Sequence, residues 1–343
     1  MAKKSARCFF SSSTGLSQQR QENSLIRQKG PQQSGFAGIL SCSLLFLFGG
    51  GVQAQELHKI EFAAEKIEGG YFAYRMRQHQ VSDLNGGNAV DITSRYPDGP
   101  TIPGPTIVIK EGDEVDLTLY HEFDPASPAH EHVSVHVHGV HYDIESDGTL
   151  EYINHFKDES AIPVMSYKYR WIAAPGTAGT WPYHDHNMLT HNGAEDRGLY
   201  GAVIVNPASN ITVMSSGDSR QTVSLDTVTK DYVLYLFDDA FAGTEIDRAT
   251  GRQSYGGANP ALTAQKNTNV RFHLIALGTN FHRFELPGYS WPEPGTDQLV
   301  SAKTLGPIEK YVFTVNATQS SSYQDTALNN LLLGMRGAFL VSE

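Results

Sequence analysis

The sequence predicts an all-β chain of two domains, and three observations lead there. Its apolar and alternating runs are short, as strands are, and none carries the 3.6-residue stripe of a long helix. Turn formers interrupt those runs throughout, with 32 Gly and 16 Pro in 343 residues. The strand-like runs also fall into two sets, separated by the turn-rich stretch Asn206-Pro207-Ala208-Ser209-Asn210. The expected organisation is a leader over 1–54, an N-terminal domain over 55–207 and a C-terminal domain over 208–343.

The leader is basic, with Lys3, Lys4, Arg7, Arg20, Arg27 and Lys29. An apolar run from Phe36 to Phe48 follows, then Val52-Gln53-Ala54, a small-residue cleavage site. The run is shorter than the ~20 residues a membrane span needs. This predicts export with cleavage after Ala54, giving a periplasmic or secreted protein; the alternative is that the run stays as an anchor. Of 26 basic and 37 acidic residues, six and one lie in the leader, which leaves 20 against 36 and a formal charge of −16. So acidic a chain is a poor partner for nucleic acid or an anionic membrane. Both cysteines, Cys8 and Cys42, lie in the leader as well. The exported protein is therefore expected to have no disulfide and no thiolate ligand.

The first set of predicted strands is Thr106–Ile109, Glu114–Tyr120, Val133–His138, Ser166–Ala173, Thr180–His184 and Leu199–Val205. The second is Tyr232–Phe237, Val270–Ala276, Arg283–Leu286, Lys310–Val315 and Ala338–Val341. Asn210-Ile211-Thr212 is a formal glycosylation sequon, expected to be unused in a bacterial host.

Six histidines crowd the stretch from His121 to His141, ending in His136-Val137-His138-Gly139, and His184-Asp185-His186 follows. Side chains at i and i+2 leave a strand on the same face, so each pair can offer two imidazoles to one cavity. Neutral imidazole suits copper, zinc, iron and nickel. The predicted metal ligands are His136, His138, His184 and His186. A single histidine is more often a surface or hydrogen-bonded core residue; two such pairs in one domain favour a metal.

Several segments then resemble one family. They are Pro103-Gly104-Pro105-Thr106-Ile107, the His136–Gly139 motif, Ser146-Asp147-Gly148-Thr149, Gly179-Thr180-Trp181-Pro182-Tyr183-His184-Asp185-His186, and the closing Gly198–Val205 run. Together they are similar to the N-terminal domain of multicopper oxidases, most closely the two-domain bacterial laccases, over most of residues 100–207. The resemblance implies two cupredoxin-like Greek-key β-sandwich domains, copper as cofactor and a homotrimer. In it, the copper cluster lies between the N-terminal domain of one subunit and the C-terminal domain of the next.

The second domain keeps that pattern in degenerate form. The family's His-x-x-His-x-His-Gly reads here His282-Arg283-Phe284-Glu285-Leu286-Pro287-Gly288. Its last motif, His-Cys-His with a further His and Gly-Met, reads Gln324-Asp325-Thr326, Asn330 and Gly334-Met335. By resemblance, His282 stands at a former blue-copper position without its partners. A blue site needs two imidazoles and a cysteine thiolate, so laccase chemistry by the ordinary route is not expected.

Four family ligands remain to hold one or two copper ions, with another transition metal as the alternative. His132, His141 and His191 lie close in sequence, to orient ligands or to serve as surface residues. Tyr142 would act as an electron or proton donor, or pack. In a trimer Glu285 would face the half-cluster, where a carboxylate would also admit Mn, Fe or Zn, or it is a solvated residue. The catalytic residues are not identifiable. Two functions follow: a copper-dependent oxidoreductase acting on oxygen or a small reductant, or a copper sequestration, delivery or scaffold protein. A purely structural pair of domains is the third.

Overall fold

The computed structural model describes residues 54–122, 132–149, 165–186 and 197–343; residues 1–53 of the expected leader, with Cys8 and Cys42, and His191 lie outside them. The N-terminal strands are β1 (Glu56–Lys66), β2 (Phe72–Asp83), β3 (Val90–Asp91), β4 (Ile107–Lys110), β5 (Glu114–His121), β6 (His136–Val137), β7 (Ser166–Ile172), β8 (Gly179–His184) and β9 (Tyr200–Asn206). They form a five-stranded sheet ordered β3-β2-β1-β5-β7 and a four-stranded sheet ordered β4-β9-β8-β6. One apolar core joins the two, with Phe62, Leu117 and Trp171 from the first sheet and Ile107, Tyr183 and Val203 from the second.

The C-terminal strands are β10 (Ile211–Ser216), β11 (Ser219–Ser224), β12 (Val228–Leu236), β13 (Phe241–Asp247), β14 (Gln253–Gly256), β15 (Leu262–Gln265), β16 (Asn269–Ala276), β17 (His282–Glu285), β18 (Trp291–Pro292), β19 (Leu299–Val300), β20 (Ala302–Leu305), β21 (Lys310–Asn316), β22 (Ser321–Asp325) and β23 (Arg336–Ser342). Seven strands form β11-β10-β21-β16-β12-β13-β14 and five form β15-β23-β22-β17-β20, with β18-β19 as a separate pair. Phe272, Phe284, Phe313 and Trp291 fill the core of this sandwich, Trp291 stacking on Phe313 with centroids 4.0 Å apart.

The all-β expectation holds, and most predicted strands lie within a residue or two of the observed ones. Val133–His138 is a correction: the ladder there is only His136–Val137. Side chains take the preceding backbone groups instead. Ser134 N donates to the Asp185 carboxylate (2.7 Å), Val135 N to the Tyr169 hydroxyl (3.2 Å), and Ser134 O accepts from Tyr74 (2.6 Å). The sequence reading also missed β1 and β2, the two longest strands. In β2 the run Arg75-Met76-Arg77-Gln78-His79-Gln80 hides the alternation behind polar residues, and β1 breaks its period at a bulge between Glu61 and Phe62.

A third apolar cluster joins the two sandwiches, with Tyr200, Ala202 and Ile204 packed on Val233, Tyr235 and Ile275. Beside it is a buried polar network. The Asp231 carboxylate on β12 is bonded by Arg271 Nε (2.7 Å), Arg248 Nη1 (2.8 Å) and His273 Nε2 (3.1 Å). Burial alone would raise Asp231, but Arg271 and His273 outweigh it and hold the carboxyl well below its ordinary value. His273 Nδ1 accepts from the Thr180 hydroxyl on β8, and Arg271 Nη2 donates to Asn206 Oδ1 (2.8 Å), so both cross the seam.

Candidate metal centre

The four predicted imidazoles gather at the open end of the four-stranded sheet. His136 and His184 face each other directly in the β6–β8 ladder, and His138 N donates to Pro182 O (3.0 Å) to continue it. The rings of His136 and His138 are 4.8 Å apart and edge-on; those of His138 and His184 are stacked at 5.3 Å. The His186 ring lies 5.2 Å from His136 and 5.8 Å from His184. His136, His138 and His184 each present a ring nitrogen within 4.8 Å of the others. His186 is the outer member of the set.

Two backbone carbonyls fix which nitrogens face inward. His136 Nδ1 lies 2.6 Å from Asp147 O, and His184 Nδ1 lies 2.9 Å from Asp185 O. A carbonyl can only accept, so each Nδ1 carries the proton and each Nε2 keeps its lone pair. The Nε2 atoms of His184 and His138 are 3.1 Å apart. Bonding of the outer ring nitrogen to the main chain is how metal-bound imidazoles are commonly held.

Electrostatics favour the neutral rings that a metal requires. Burial first, then the neighbouring His184, His136 and His186, push His138 down to about 4, and Lys310 adds to the effect. Burial lowers His136 too, against the raising influence of Asp147. His136 and His138 therefore stay uncharged at neutral pH. Three close imidazoles, without carboxylate or thiolate among them, form a donor set that fits copper.

Two glycines let the backbone close around this centre. At Gly139 (φ +73°) a Cβ would fall 1.8 Å from the Trp181 ring. At Gly148 (φ +77°) it would fall 2.1 Å from Val135 O, so only glycine allows the 146–149 loop to bring Asp147 against His136. Tyr142 stands edge-on to His136 at 6.2 Å; burial raises its hydroxyl first, then the Asp147 carboxylate to which it is bonded. Neither His132 nor His141 joins the three-nitrogen group, and His141 is exposed, its backbone paired with Ile172.

In the C-terminal sandwich the degenerate motif is a finished structure. His282 is fully buried and has a partner the sequence did not suggest: its Nδ1 lies 2.6 Å from Asp325 Oδ2. The same carboxylate accepts from Asn330 Nδ2 (2.8 Å), Arg283 N (2.9 Å) and Ala327 N (2.9 Å). Burial pulls Asp325 upward, but these bonds outweigh it and keep the carboxyl below its ordinary value. Asp325 and Asn330 thus stand where the family resemblance expects thiolate and imidazole, their backbones bonded to that of the buried Met335. Glu285 is tied within its own sheet to Thr326 Oγ1 (3.0 Å), Gln324 Nε2 (3.3 Å) and Arg283.

Comparison with known proteins agrees with this anatomy. The multicopper oxidase family pattern matches residues 99–210. A probable nitrite reductase-hydroxylamine oxidoreductase fusion protein of Kuenenia stuttgartiensis is 30% identical over 258 residues, covering 72% of this chain and 28% of that protein. The chain thus spans little more than a quarter of that relative's length. Among solved structures, copper nitrite reductase from Nitrosomonas europaea superposes with a TM-score of 0.53 at 15% identity, covering 84% of this chain and 94% of the other. A multicopper oxidase superposes with a TM-score of 0.50 at 19% identity, covering 83% and 88%. These likenesses establish the cupredoxin-like fold. The family match over residues 99–210, together with these relatives, supports a member of the multicopper oxidase family.

Proposed function

We propose that the protein is an exported copper-dependent oxidoreductase whose copper centre is formed by His136, His138, His184 and His186, without blue copper. The observation that carries this reading is the convergence of the Nε2 atoms of His138 and His184 at 3.1 Å, with the Nδ1 atoms of His136 and His184 anchored on carbonyl groups. Copper bound there would supply one-electron exchange with a small reductant or with oxygen. The chain's own groups do the rest. Asp147 O and Asp185 O orient two rings, burial keeps His136 and His138 neutral, and the Tyr142 hydroxyl paired with Asp147 can hold a proton beside His136. The trimer implied by family resemblance has support in the apolar side chains exposed around the vacated blue site: Phe281, Leu328, Leu332 and Leu333.

A second reading, copper sequestration or delivery, is favoured by the network at Asp325. It fills the position at which electrons would enter with hydrogen bonds from His282 and Asn330.

The test is metal analysis and electron paramagnetic resonance of the purified protein, with oxygen uptake measured against small reductants. One or two coppers per chain, lost in the His136→Ala plus His184→Ala double variant, support the centre; full occupancy in that variant overturns it. Oxygen uptake above that of the double variant separates oxidoreductase from carrier.

A further inference from the structure

A second group of ligand-bearing side chains lies outside the four-imidazole cluster, in the five-stranded sheet. His58 continues the inward face of β1 and is buried, as is Asp113, in the turn that opens β5. Glu56, two residues before His58, is exposed at the strand's beginning. His58 Nε2 lies 3.5 Å from Asp113 Oδ2 and 3.8 Å from Glu56 Oε2. Both are too long for a good hydrogen bond, and this buried nitrogen has no hydrogen-bond partner. They are close to the ligand-to-ligand spacing of a tetrahedral ion: bonds of about 2.1 Å put ligand atoms about 3.4 Å apart. The three ligand atoms lie within 4.8 Å of one another.

The other side of the imidazole is built as a metal-bound histidine needs. His58 Nδ1 lies 2.9 Å from His79 Nε2, and His79 Nδ1 lies 2.8 Å from the Tyr96 hydroxyl, all of them buried. The Asp113 carboxylate is positioned in turn by the backbone N–H groups of Glu56 (3.0 Å) and Lys110 (2.7 Å). A ligand oriented by a hydrogen bond from its far nitrogen, and a carboxylate oriented by amides, are the supports that fix metal sites.

We propose that Glu56, His58 and Asp113 form a second cation site, separate from the copper centre, that takes a divalent ion of the zinc class with solvent as fourth ligand. One imidazole with two carboxylates is a harder donor set than the four-imidazole cluster, so the two sites select different ions. Binding at His58 Nε2 requires the ring proton on Nδ1, which then donates to His79 Nε2, and His79 Nδ1–H donates to Tyr96. The cation thereby sets the direction of the whole buried chain. It also ties the beginning of β1 to the turn before β5.

The experiment titrates copper-loaded protein with zinc and, for its visible spectrum, cobalt(II). One further equivalent is expected, with the four-coordinate cobalt spectrum. Its affinity should fall at least about tenfold in Glu56→Gln and further in Asp113→Asn, and stay unchanged in His136→Ala. Glu56 is exposed, so its variant folds even if Asp113→Asn does not. Imidazole nitrogen NMR should show the His58 proton on Nδ1 in the zinc form. No additional equivalent, one that survives Glu56→Gln undiminished, or one lost with His136 would overturn the proposal.

Discussion

Acid should loosen the seam between the two sandwiches through His273. This ring is buried, and its neutral form satisfies both neighbours: Nε2–H donates to Asp231 and Nδ1 accepts from Thr180 across the seam. Burial first, and then Arg271, push its pKa down to about 4. In the unfolded chain the same histidine protonates near 6.5. Between those values the unfolded state holds the extra proton, so stability is full above pH 6.5 and falls as the pH drops towards 4. At about 1.4 kcal/mol per pH unit, the loss at pH 5 is roughly 2 kcal/mol, and over the whole window roughly 3 kcal/mol. The assay is urea unfolding of metal-free protein at pH 7.5 and pH 5.0, comparing wild type with His273→Gln, whose amide can make both hydrogen bonds without titrating. Other buried histidines titrate alike in both proteins, so the difference between them isolates this one. Equal acid losses in wild type and variant would refute the reasoning.

Gly139→Ala should destabilise the protein by about 1–3 kcal/mol and weaken copper binding, because its Cβ meets the Trp181 ring; calorimetry and metal analysis read the two effects. The His282→Ala plus Glu285→Ala variant should keep its copper, yet lose about 1–3 kcal/mol by stripping a partner from buried Asp325, as urea unfolding would reveal. Protein beginning near Gln55 should show no intense thiolate-to-copper band in its visible spectrum, since both cysteines precede that residue. Oxidation of a bulky phenol should be very weak. Turnover on the order of 1 s⁻¹ or more that vanishes in His136→Ala would mean that electrons reach the N-terminal domain by another path.

Much of the centre was legible because its geometry is local. A strand fixes which face residues i and i+2 share, so His136 with His138, and His184 with His186, could be paired from sequence. That the two pairs converge depends on the β6–β8 register, which the family's motif order supplied. What stayed hidden was set by distant partners. Asp325 reads as the loss of a thiolate until its backbone donors and His282 are in place, and so His282 looked solitary. His58 and His79 occupy inward strand positions where the reading looked for apolar residues, which concealed both the strands and the cluster they carry. His141, close in sequence to the first pair, lies exposed in an isolated bridge to Ile172.

The C-terminal sandwich retains an influence on the four-imidazole cluster that needs none of the lost ligands. Lys310, at the beginning of β21, places its ammonium 4.0 Å from the centroid of the Trp181 ring, which also lies against the backbone turn at Gly139. The same charge contributes to the lowered affinity of His138 for a proton. A fixed positive charge on a partly buried aromatic shelf penalises a doubly charged ion more than a singly charged one, and attracts small anions to the opening. With copper bound there, the second sandwich would act as an electrostatic bias on the oxidation state its neighbour prefers, an effect that Lys310→Gln would remove without touching a single ligand.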